Sequence, residues 1–242
     1  MELELGAHRA PTTLRERYRA LNDELADVQR SAGRSNVPVT VVAVTKKQQR
    51  TIVLEAIDAG IRDIGENYYQ EAREKLAGLP AVRKHFLGHV QTNKAKGIVE
   101  QFDMVQTVDR LDAGRALARA ARNLGKKLPV LVQINISPSE RFGAPPDQAE
   151  RLAEQLREEG LQVDGLMAIG PNTGDQNEVR RAFECAAQTF ARVGGSTLSL
   201  GMSSDWQEAV RCGSTMIRVG TTLFGARDGK QDVRSSDDEQ HV

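Results

Sequence analysis

Several residue types are scarce in the 242-residue sequence, and each shortage argues against a class of protein. The two cysteines, Cys185 and Cys212, lack metal-ligand spacing, which indicates reduced thiols of a cytoplasmic protein rather than disulfides or a metal site. Basic and acidic residues each number 33, so no net positive charge favours nucleic acid as a partner. The N-terminal residues lack an apolar core, and no apolar run is long enough to cross a membrane, so we expect neither a signal peptide nor a membrane segment.

Short apolar segments alternate with helical segments along most of the chain. We predict strands at residues 39–44, 61–64, 85–87, 104–108, 130–136, 163–169, 197–200 and 216–219. Parallel strands need helical crossovers, so eight such units favour a single α/β domain, a closed (β/α)8 barrel of the TIM type. An open doubly wound sheet is the alternative. It is disfavoured because the chain has neither a glycine-rich fingerprint after the first strand nor a phosphate-binding P-loop motif.

An amphipathic helix precedes the first strand. Thr13 and Glu16 have the spacing of a capping box. Apolar residues then recur at steps of three and four, at Leu14, Tyr18, Leu21, Leu25 and Val28. We expect this stripe to pack on the barrel and to cover the position after strand eight, where the sequence predicts no helix. Because this packing uses the single apolar stripe of the helix, a monomer is the simplest assembly. The predicted divisions are an N-terminal extension at 1–12, the barrel at 13–227 and a disordered polar tail at 228–242, with no C-terminal β domain.

The first strand ends in two lysines. The run 39–44 is apolar enough to be buried on both faces, and Thr45, Lys46 and Lys47 follow it directly. A lysine in this position is either a surface side chain just past the strand or an amine held in a site. In a site, desolvation lowers the pKa of the amine and makes it a nucleophile.

Ligands of such barrels bind at the carboxyl ends of the strands, and two of these ends resemble an anion site. The stretch 201–205, Gly-Met-Ser-Ser-Asp, leads directly into a helix, so that N–H groups and the hydroxyls of Ser203 and Ser204 converge. Gly220 and Thr221 form a second small loop after strand eight. The alternative is that Ser203, Ser204 or Asp205 merely caps the helix.

Arg218 lies within strand eight, and it points either into the barrel or outward. An interior lysine and a phosphate site on one rim together suggest pyridoxal phosphate, whose aldehyde a lysine amine can hold as an imine. Arg218 would then face the pyridine nitrogen. Because arginine stays protonated, it would leave that nitrogen unprotonated and weaken the ring as an electron sink.

Six stretches of the chain, in order, resemble one family. They are Val42-Ala43-Val44-Thr45-Lys46, Gly65-Glu66-Asn67-Tyr68, His85-Phe86-Leu87-Gly88-His89-Val90-Gln91-Thr92-Asn93-Lys94, Gly165-Leu166-Met167, Leu198-Ser199-Leu200-Gly201-Met202-Ser203-Ser204-Asp205 and Arg218-Val219-Gly220-Thr221. Between about residues 14 and 227 the chain is similar to the YggS/PROSC family of pyridoxal phosphate homeostasis proteins. That family itself resembles the N-terminal barrel of alanine racemase.

The resemblance implies a residue-by-residue assignment of the cofactor site. It implies that Lys46 holds pyridoxal phosphate as a Schiff base, that Asn67 lies near the ring and that Arg218 lies at the pyridine nitrogen. It further implies that the phosphate lies among Ser203, Ser204, Gly220 and Thr221. The family usually continues Lys-Thr-Lys-Pro after the strand, whereas this chain has Lys46-Lys47-Gln48-Gln49, so Lys47 is a nearby competitor. We choose Lys46 because the family motif places its lysine there. We expect strand alternation to send the side chains of Lys46 and Lys47 to opposite sides, so that only one of them faces the barrel.

Two further features have no assigned role: a second departure from the family pattern and a histidine on the rim. Family members commonly have Lys-Ser-Gly after strand five, where this chain has Arg141-Phe142-Gly143, so the role of that loop is open. His89 and the 91–94 loop lie on the same rim as the candidate site, and we assign them no chemical step.

The predicted function is intracellular pyridoxal phosphate homeostasis without full catalytic machinery. In alanine racemase a tyrosine from a separate domain is the second base, and we find no counterpart among Tyr18, Tyr68 and Tyr69. We therefore predict no catalytic residue, no metal ligand and an open rim that suits cofactor exchange, with apo-enzymes that use the cofactor as candidate partners. Two alternatives remain: a pyridoxal-phosphate enzyme such as a weak amino-acid racemase, and an interaction module whose lysine is incidental.

Overall fold

The computed structural model describes residues 12–138 and 142–225, and it contains a closed barrel of eight parallel strands. The strands pair in chain order and β8 pairs with β1, which confirms the predicted (β/α)8 barrel. Their bounds are β1 Thr40–Val44, β2 Asp63–Glu66, β3 Arg83–Phe86, β4 Met104–Val108, β5 Pro129–Asn135, β6 Gln162–Ile169, β7 Thr197–Ser199 and β8 Met216–Val219.

Helices connect the strands and form the outer layer of the barrel. Their bounds are α1 Leu14–Ser31, α2 Arg50–Asp58, α3 Tyr69–Lys75, α4 Ala95–Gln101, α5 Leu111–Asn123, α6 Ala149–Glu158, α7 Gln176–Val193, α8 Trp206–Arg211 and α9 Thr221–Phe224, with a 3₁₀ turn at Thr92–Lys94. The capping box of α1 is present, because the Thr13 hydroxyl accepts from the Glu16 N–H and the Glu16 carboxylate accepts from the Thr13 N–H.

Several strand bounds differ from the expected ones by one or two residues, and β3 is at Arg83–Phe86 rather than at 85–87. Strand β2 begins at Asp63 rather than at residue 61, because the Ile61 N–H bonds to the Ala56 carbonyl and so completes the end of α2. A short helix, α9, follows β8 where none was expected. Helix α1 packs against both α8 and α9, so it lies beside the position after strand eight, as expected.

The core has an outer layer and an inner layer. The outer layer fills the space between the sheet and the helices and includes the largest fully buried side chains, such as Trp206, Phe102 and Phe183. The inner layer is a small apolar cluster of Val42, Met104, Leu131, Met167 and Met216 inside the barrel. Polar side chains share the interior with this cluster, and they lead to the candidate site.

Some expectations concern residues outside the described ranges. The predicted extension at 1–12 lies outside them apart from Thr12, and the predicted tail at 228–242 lies wholly outside them. Within 12–138 and 142–225, no helix has the length and apolarity to cross a membrane, and no cluster of metal-ligating side chains occurs. Cys185 and Cys212 are both free thiols.

Candidate functional site

A cavity of about 360 Å³ lies at the carboxyl ends of the strands, a size typical of small-molecule sites. Its lining includes all seven residues predicted to bind the cofactor, namely Lys46, Asn67, Ser203, Ser204, Arg218, Gly220 and Thr221. Apolar side chains of Leu87, Met167, Ile169 and Met202 line it as well. The fold therefore brings residues from the ends of β1, β2, β7 and β8 into one cavity. Their contact with a cofactor stays a prediction.

The two adjacent lysines take different positions around the turn that follows β1. Strand β1 ends at Val44, so Lys46 and Lys47 both lie beyond it. Lys46 is half-buried and lines the cavity, whereas Lys47 is exposed and is absent from the lining. Lys47 has a left-handed backbone with φ 60°, which turns the chain at this point. The expected cause, alternation along a strand, is therefore wrong, because a turn separates the two side chains.

A buried ion cluster, defined as Glu66, Glu71 and Lys75, adjoins this turn. Lys75 Nζ lies 2.7 Å from Glu66 Oε1 and 2.5 Å from Glu71 Oε1, and it donates to the Thr45 carbonyl at 2.7 Å. The Glu66 side chain is fully buried, and this burial raises the pKa of its carboxyl although the charge of Lys75 opposes the change. Glu66 Oε1 also accepts from the Thr45 hydroxyl at 2.5 Å, while its Oε2 has no hydrogen-bond partner among the described residues.

The loops after β7 and β8 are joined by a serine hydroxyl. Ser203 Oγ accepts the N–H groups of Gly220 at 3.1 Å and of Thr222 at 3.4 Å. Asp205 folds the first of these loops, because its Oδ1 accepts the Met202 N–H at 2.6 Å, and burial raises the pKa of this carboxyl. Asp205 makes no side-chain capping bond to α8. The serine and aspartate side chains therefore join and shape the two loops, and the two loops together line the cavity.

Arg218 points into the barrel, which decides between the two orientations left open by the sequence. The residue is 4% exposed and lines the cavity floor. Its Nη1 donates to the Ser199 carbonyl at 2.8 Å and to Ser199 Oγ at 2.6 Å, and its Nη2 donates to the Ala168 carbonyl at 2.8 Å. Burial lowers the pKa of Arg218 to about 10, with the charge of Asp205 opposing the change, so the guanidinium remains protonated at neutral pH.

A chain of hydrogen bonds runs from Arg218 through the barrel interior. Ser199 Oγ accepts from Arg218 and donates to Gln106 Oε1 at 2.7 Å, and Gln106 Nε2 lies 2.9 Å from His85 Nδ1. His85 Nε2 lies 2.9 Å from Asp63 Oδ1. Because Gln106 Nε2 can only donate, Nδ1 must accept, so the proton of the neutral imidazole is on Nε2 and bonds to Asp63. Burial is the main cause that lowers the pKa of His85, which favours this neutral form.

His89 lies on another part of the rim and does not line the cavity. Its ring packs on Phe142 with a centroid distance of 4.2 Å, and its Nε2 accepts from Arg110 Nη1 at 2.9 Å. Burial and the charge of Arg110 both lower the pKa of His89. Arg141 lies outside the described residues, so the loop in which the sequence departs from the family pattern keeps no assigned role.

The interior chain and the ion cluster were not predicted from the sequence. A signal for the chain existed, because Gln106 is a polar residue within an apolar strand, and a buried amide needs hydrogen-bond partners. Lys75 gave no comparable signal. It lies in the last turn of a helix, where an exposed lysine is ordinary.

Comparison with known proteins places this barrel and cavity in a family. Residues 17–228 match the family described as alanine racemase, N-terminal domain. The Pyridoxal phosphate homeostasis protein of Escherichia coli (strain K12) is 38% identical over 226 residues, which cover 86% of this chain and 94% of that protein. The protein of the same name from Pseudomonas aeruginosa is 37% identical over 224 residues, with 90% and 97% covered.

A solved structure agrees with the sequence relatives. PipY of Synechococcus elongatus, in a structure described as having PLP (pyridoxal phosphate) bound, is 34% identical with a TM-score of 0.77. The match covers 88% of this chain and 100% of that one. The fold and cavity thus define a barrel of the alanine racemase N-terminal class. The chain belongs to that family, and within it to the pyridoxal phosphate homeostasis proteins.

Proposed function

We propose that the protein binds pyridoxal phosphate in the cavity at the carboxyl ends of the strands and takes part in its intracellular homeostasis. The observation that carries the proposal is that the primary amine of Lys46, the guanidinium of Arg218 and the joined loops of Ser203 and Gly220 all line one cavity. A homologue that covers nearly the whole chain is described with PLP bound, which supports the same ligand.

The donor groups of the cavity fit this cofactor. Pyridoxal phosphate supplies an aldehyde, which condenses with a lysine amine to form an imine and release one water. In the proposal Lys46 is that lysine, Ser203, Ser204, Gly220 and Thr221 hold the phosphate, and Asn67 adjoins the ring. Arg218 would donate an N–H to the ring nitrogen, and because arginine stays protonated that nitrogen would remain unprotonated.

The proposed role is to store and deliver the cofactor rather than to turn over a substrate. Racemisation needs a proton-transfer group on each face of the substrate carbon. Within the described part of the lining, Lys46 and Arg218 are the titratable side chains, and Arg218 stays protonated.

The proposal includes a cytoplasmic monomer and apo-enzymes as recipients of the cofactor. Size-exclusion chromatography, cell fractionation and reactivation of an apo-enzyme test these parts.

Covalent labelling tests the binding site. Protein incubated with pyridoxal phosphate should turn yellow, and borohydride reduction followed by peptide mass spectrometry should place the cofactor on Lys46. Lys46→Ala should lose the colour, and Lys47→Ala should keep it. Loss of colour in Lys47→Ala with retention in Lys46→Ala contradicts the assignment. Uncoloured wild-type protein contradicts cofactor binding and favours an interaction module.

A pyridoxal-phosphate enzyme is the alternative function, favoured by the family relation to alanine racemase. Exchange of the α-proton of common amino acids in heavy water, followed by NMR, separates it from the storage role. We expect no exchange at an enzymatic rate. Turnover on the order of one per second or faster would establish the enzyme.

A further inference from the structure

Lys75 is the centre of the buried ion cluster. Its ammonium has three N–H groups and three acceptors: the Thr45 carbonyl at 2.7 Å, Glu66 Oε1 at 2.7 Å and Glu71 Oε1 at 2.5 Å. The side chain is 6% exposed, so water has little access to replace these bonds. A buried ammonium with all of its protons donated fixes the relative positions of its three acceptors.

These three acceptors hold the backbone on both sides of Lys46. On the N-terminal side, Thr45 is held by its carbonyl, which accepts from Lys75, and by its hydroxyl, which donates to Glu66 at 2.5 Å. On the C-terminal side, the Lys47 N–H donates to Glu71 Oε1 at 2.7 Å, the same oxygen that accepts from Lys75. One ammonium therefore ties together the residue before and the residue after Lys46.

The turn between these two anchors is one that a residue with a Cβ seldom adopts. Lys47 is the sole non-glycine residue with positive φ among the described residues, at φ 60°. Such a conformation persists when the surroundings hold it. The bond from the Lys47 N–H to Glu71 is one such restraint, beside the turn bond from the Gln48 N–H to the Thr45 carbonyl at 3.0 Å. Both acceptors are in turn held by Lys75.

We propose that Lys75 is a positioning residue that selects Lys46, and not Lys47, as the amine presented to the cavity. The proposal rests on the proposed binding of pyridoxal phosphate. Two adjacent lysines have the same chemistry, so the choice between them is made by the backbone. The cluster fixes the turn that leaves Lys46 in the cavity lining and Lys47 exposed.

The site of covalent labelling tests this selection directly. Lys75→Met removes the ammonium and keeps the apolar length of the side chain. After incubation with pyridoxal phosphate and borohydride reduction, wild-type protein should carry the label on Lys46 alone. Lys75→Met should divide the label between Lys46 and Lys47 and should bind the cofactor roughly tenfold more weakly or worse, because the reacting amine is displaced.

Lys126→Met is the matched control. Lys126 is half-buried, and its ammonium, like that of Lys75, donates to backbone carbonyl groups, here those of Val99 at 2.8 Å and Phe102 at 2.7 Å. It does not line the cavity. The control variant should label on Lys46 alone with wild-type affinity. A divided label in both variants would show that a general loss of stability, and not the cluster, redistributes the label, and this would overturn the proposal.

A second pair of variants keeps the test decisive if Lys75→Met does not fold. Glu71 is about one-third exposed, and Glu71→Ala removes the acceptor of the Lys47 N–H, whereas Glu71→Gln keeps an oxygen there. Glu71→Ala should divide the label and Glu71→Gln should restore it to Lys46. Label on Lys46 alone in both Lys75→Met and Glu71→Ala overturns the selection whatever their affinity, while absence of label from the wild type contradicts cofactor binding itself.

Discussion

His85 and Arg218 lie at opposite ends of one hydrogen-bonded chain inside the barrel, joined through Gln106 and Ser199. Every bond in this chain donates in the same direction, from the guanidinium toward His85 and on to Asp63. A protonated His85 would present an N–H to the amide N–H of Gln106, which a chain with this direction cannot accept. Because both residues belong to this chain, the protonation state of His85 affects the hydrogen bonds that hold Arg218.

The first prediction concerns the pH dependence of stability. Burial places the folded-state pKa of His85 below the unfolded value of about 6.5, although Asp63 and Asp103 oppose the change and Arg83 adds to it. The unfolded chain therefore takes up the proton first as the pH falls. The stability that neutral His85 contributes is fully present above about pH 6.5 and is lost as the pH falls through the lowered folded-state pKa. The loss is about 1.4 kcal/mol for each full unit between the unfolded-state and folded-state pKa values.

His85→Gln tests this dependence, because glutamine does not titrate and can still donate to Asp63. The variant should be less stable than wild type at pH 7.5, by about 1–3 kcal/mol, and its free energy of unfolding should fall less between pH 7 and pH 5. Urea unfolding at several pH values measures both effects. An equal fall in the two proteins would exclude His85 as the titrating group.

The second prediction concerns the middle of the chain. Ser199→Ala removes the donor to Gln106 Oε1 and one of the acceptors of Arg218 Nη1, both in a fully buried place. We expect a loss of about 1–3 kcal/mol in unfolding free energy, because a buried amide oxygen is left without a partner. Ser196→Ala, at an exposed position just before the same strand, should stay within about 0.5 kcal/mol of wild type. Equal stability of the two variants would contradict the prediction.

The third prediction concerns the close contact between the segment after β3 and the loop that carries Asn67. A Cβ on Gly88 would lie 1.8 Å from the Asn67 carbonyl oxygen, which is a backbone atom with no rotamer to move. Gly88→Ala should therefore cost about 3 kcal/mol or more and displace Asn67 from the cavity lining. Gly174→Ala meets no heavy atom within 4 Å and serves as the control. Chemical denaturation measures the difference, and a Gly88→Ala protein with wild-type stability would refute the clash.

The fourth prediction concerns the hydroxyl that joins the loops after β7 and β8. Ser203→Ala leaves the N–H groups of Gly220 and Thr222 without their acceptor. Because both residues are partly accessible, water should replace the hydroxyl in part, and the loss of stability should be about 1 kcal/mol. Binding of inorganic phosphate, measured by calorimetry, should weaken more than in Ser204→Ala, in which this junction is intact. The reverse order of the two affinities would argue against the role of Ser203.

The alternation of apolar and amphipathic segments was sufficient to predict the barrel. Eight strands and their order followed from the pattern because a parallel strand is apolar on both faces and needs a helical crossover. Strand β2 was predicted two residues early, because Ile61 is as apolar as a strand residue yet completes a helix end. The four-residue helix α9 was missed, because so short a segment shows no apolar period.

The cavity lining was predictable because barrel strands bring their carboxyl ends to one rim. The groups that hold the lining were not. Gln106 lies 93 positions from Ser199, and Lys75 lies 30 positions from Thr45, and no local pattern specifies which distant polar groups will meet. The separation of Lys46 and Lys47 shows the same limit, because it depends on a left-handed turn that residue types alone did not indicate.

Strand pairing in the barrel determines when the site can form during synthesis. Strand β8 pairs in register with β1 over four residues, including Val42 with Arg218. On its other side it pairs with β7 at Ser199 and Met216, and the Arg218 N–H donates to the Gly201 carbonyl just past β7. The strand that carries Arg218 is thus aligned on one side by the strand that leads to Lys46, which lies at the other end of the barrel sequence. A nascent chain on the ribosome exposes β1 long before β8 is made, so the cavity is completed by the last strand to emerge.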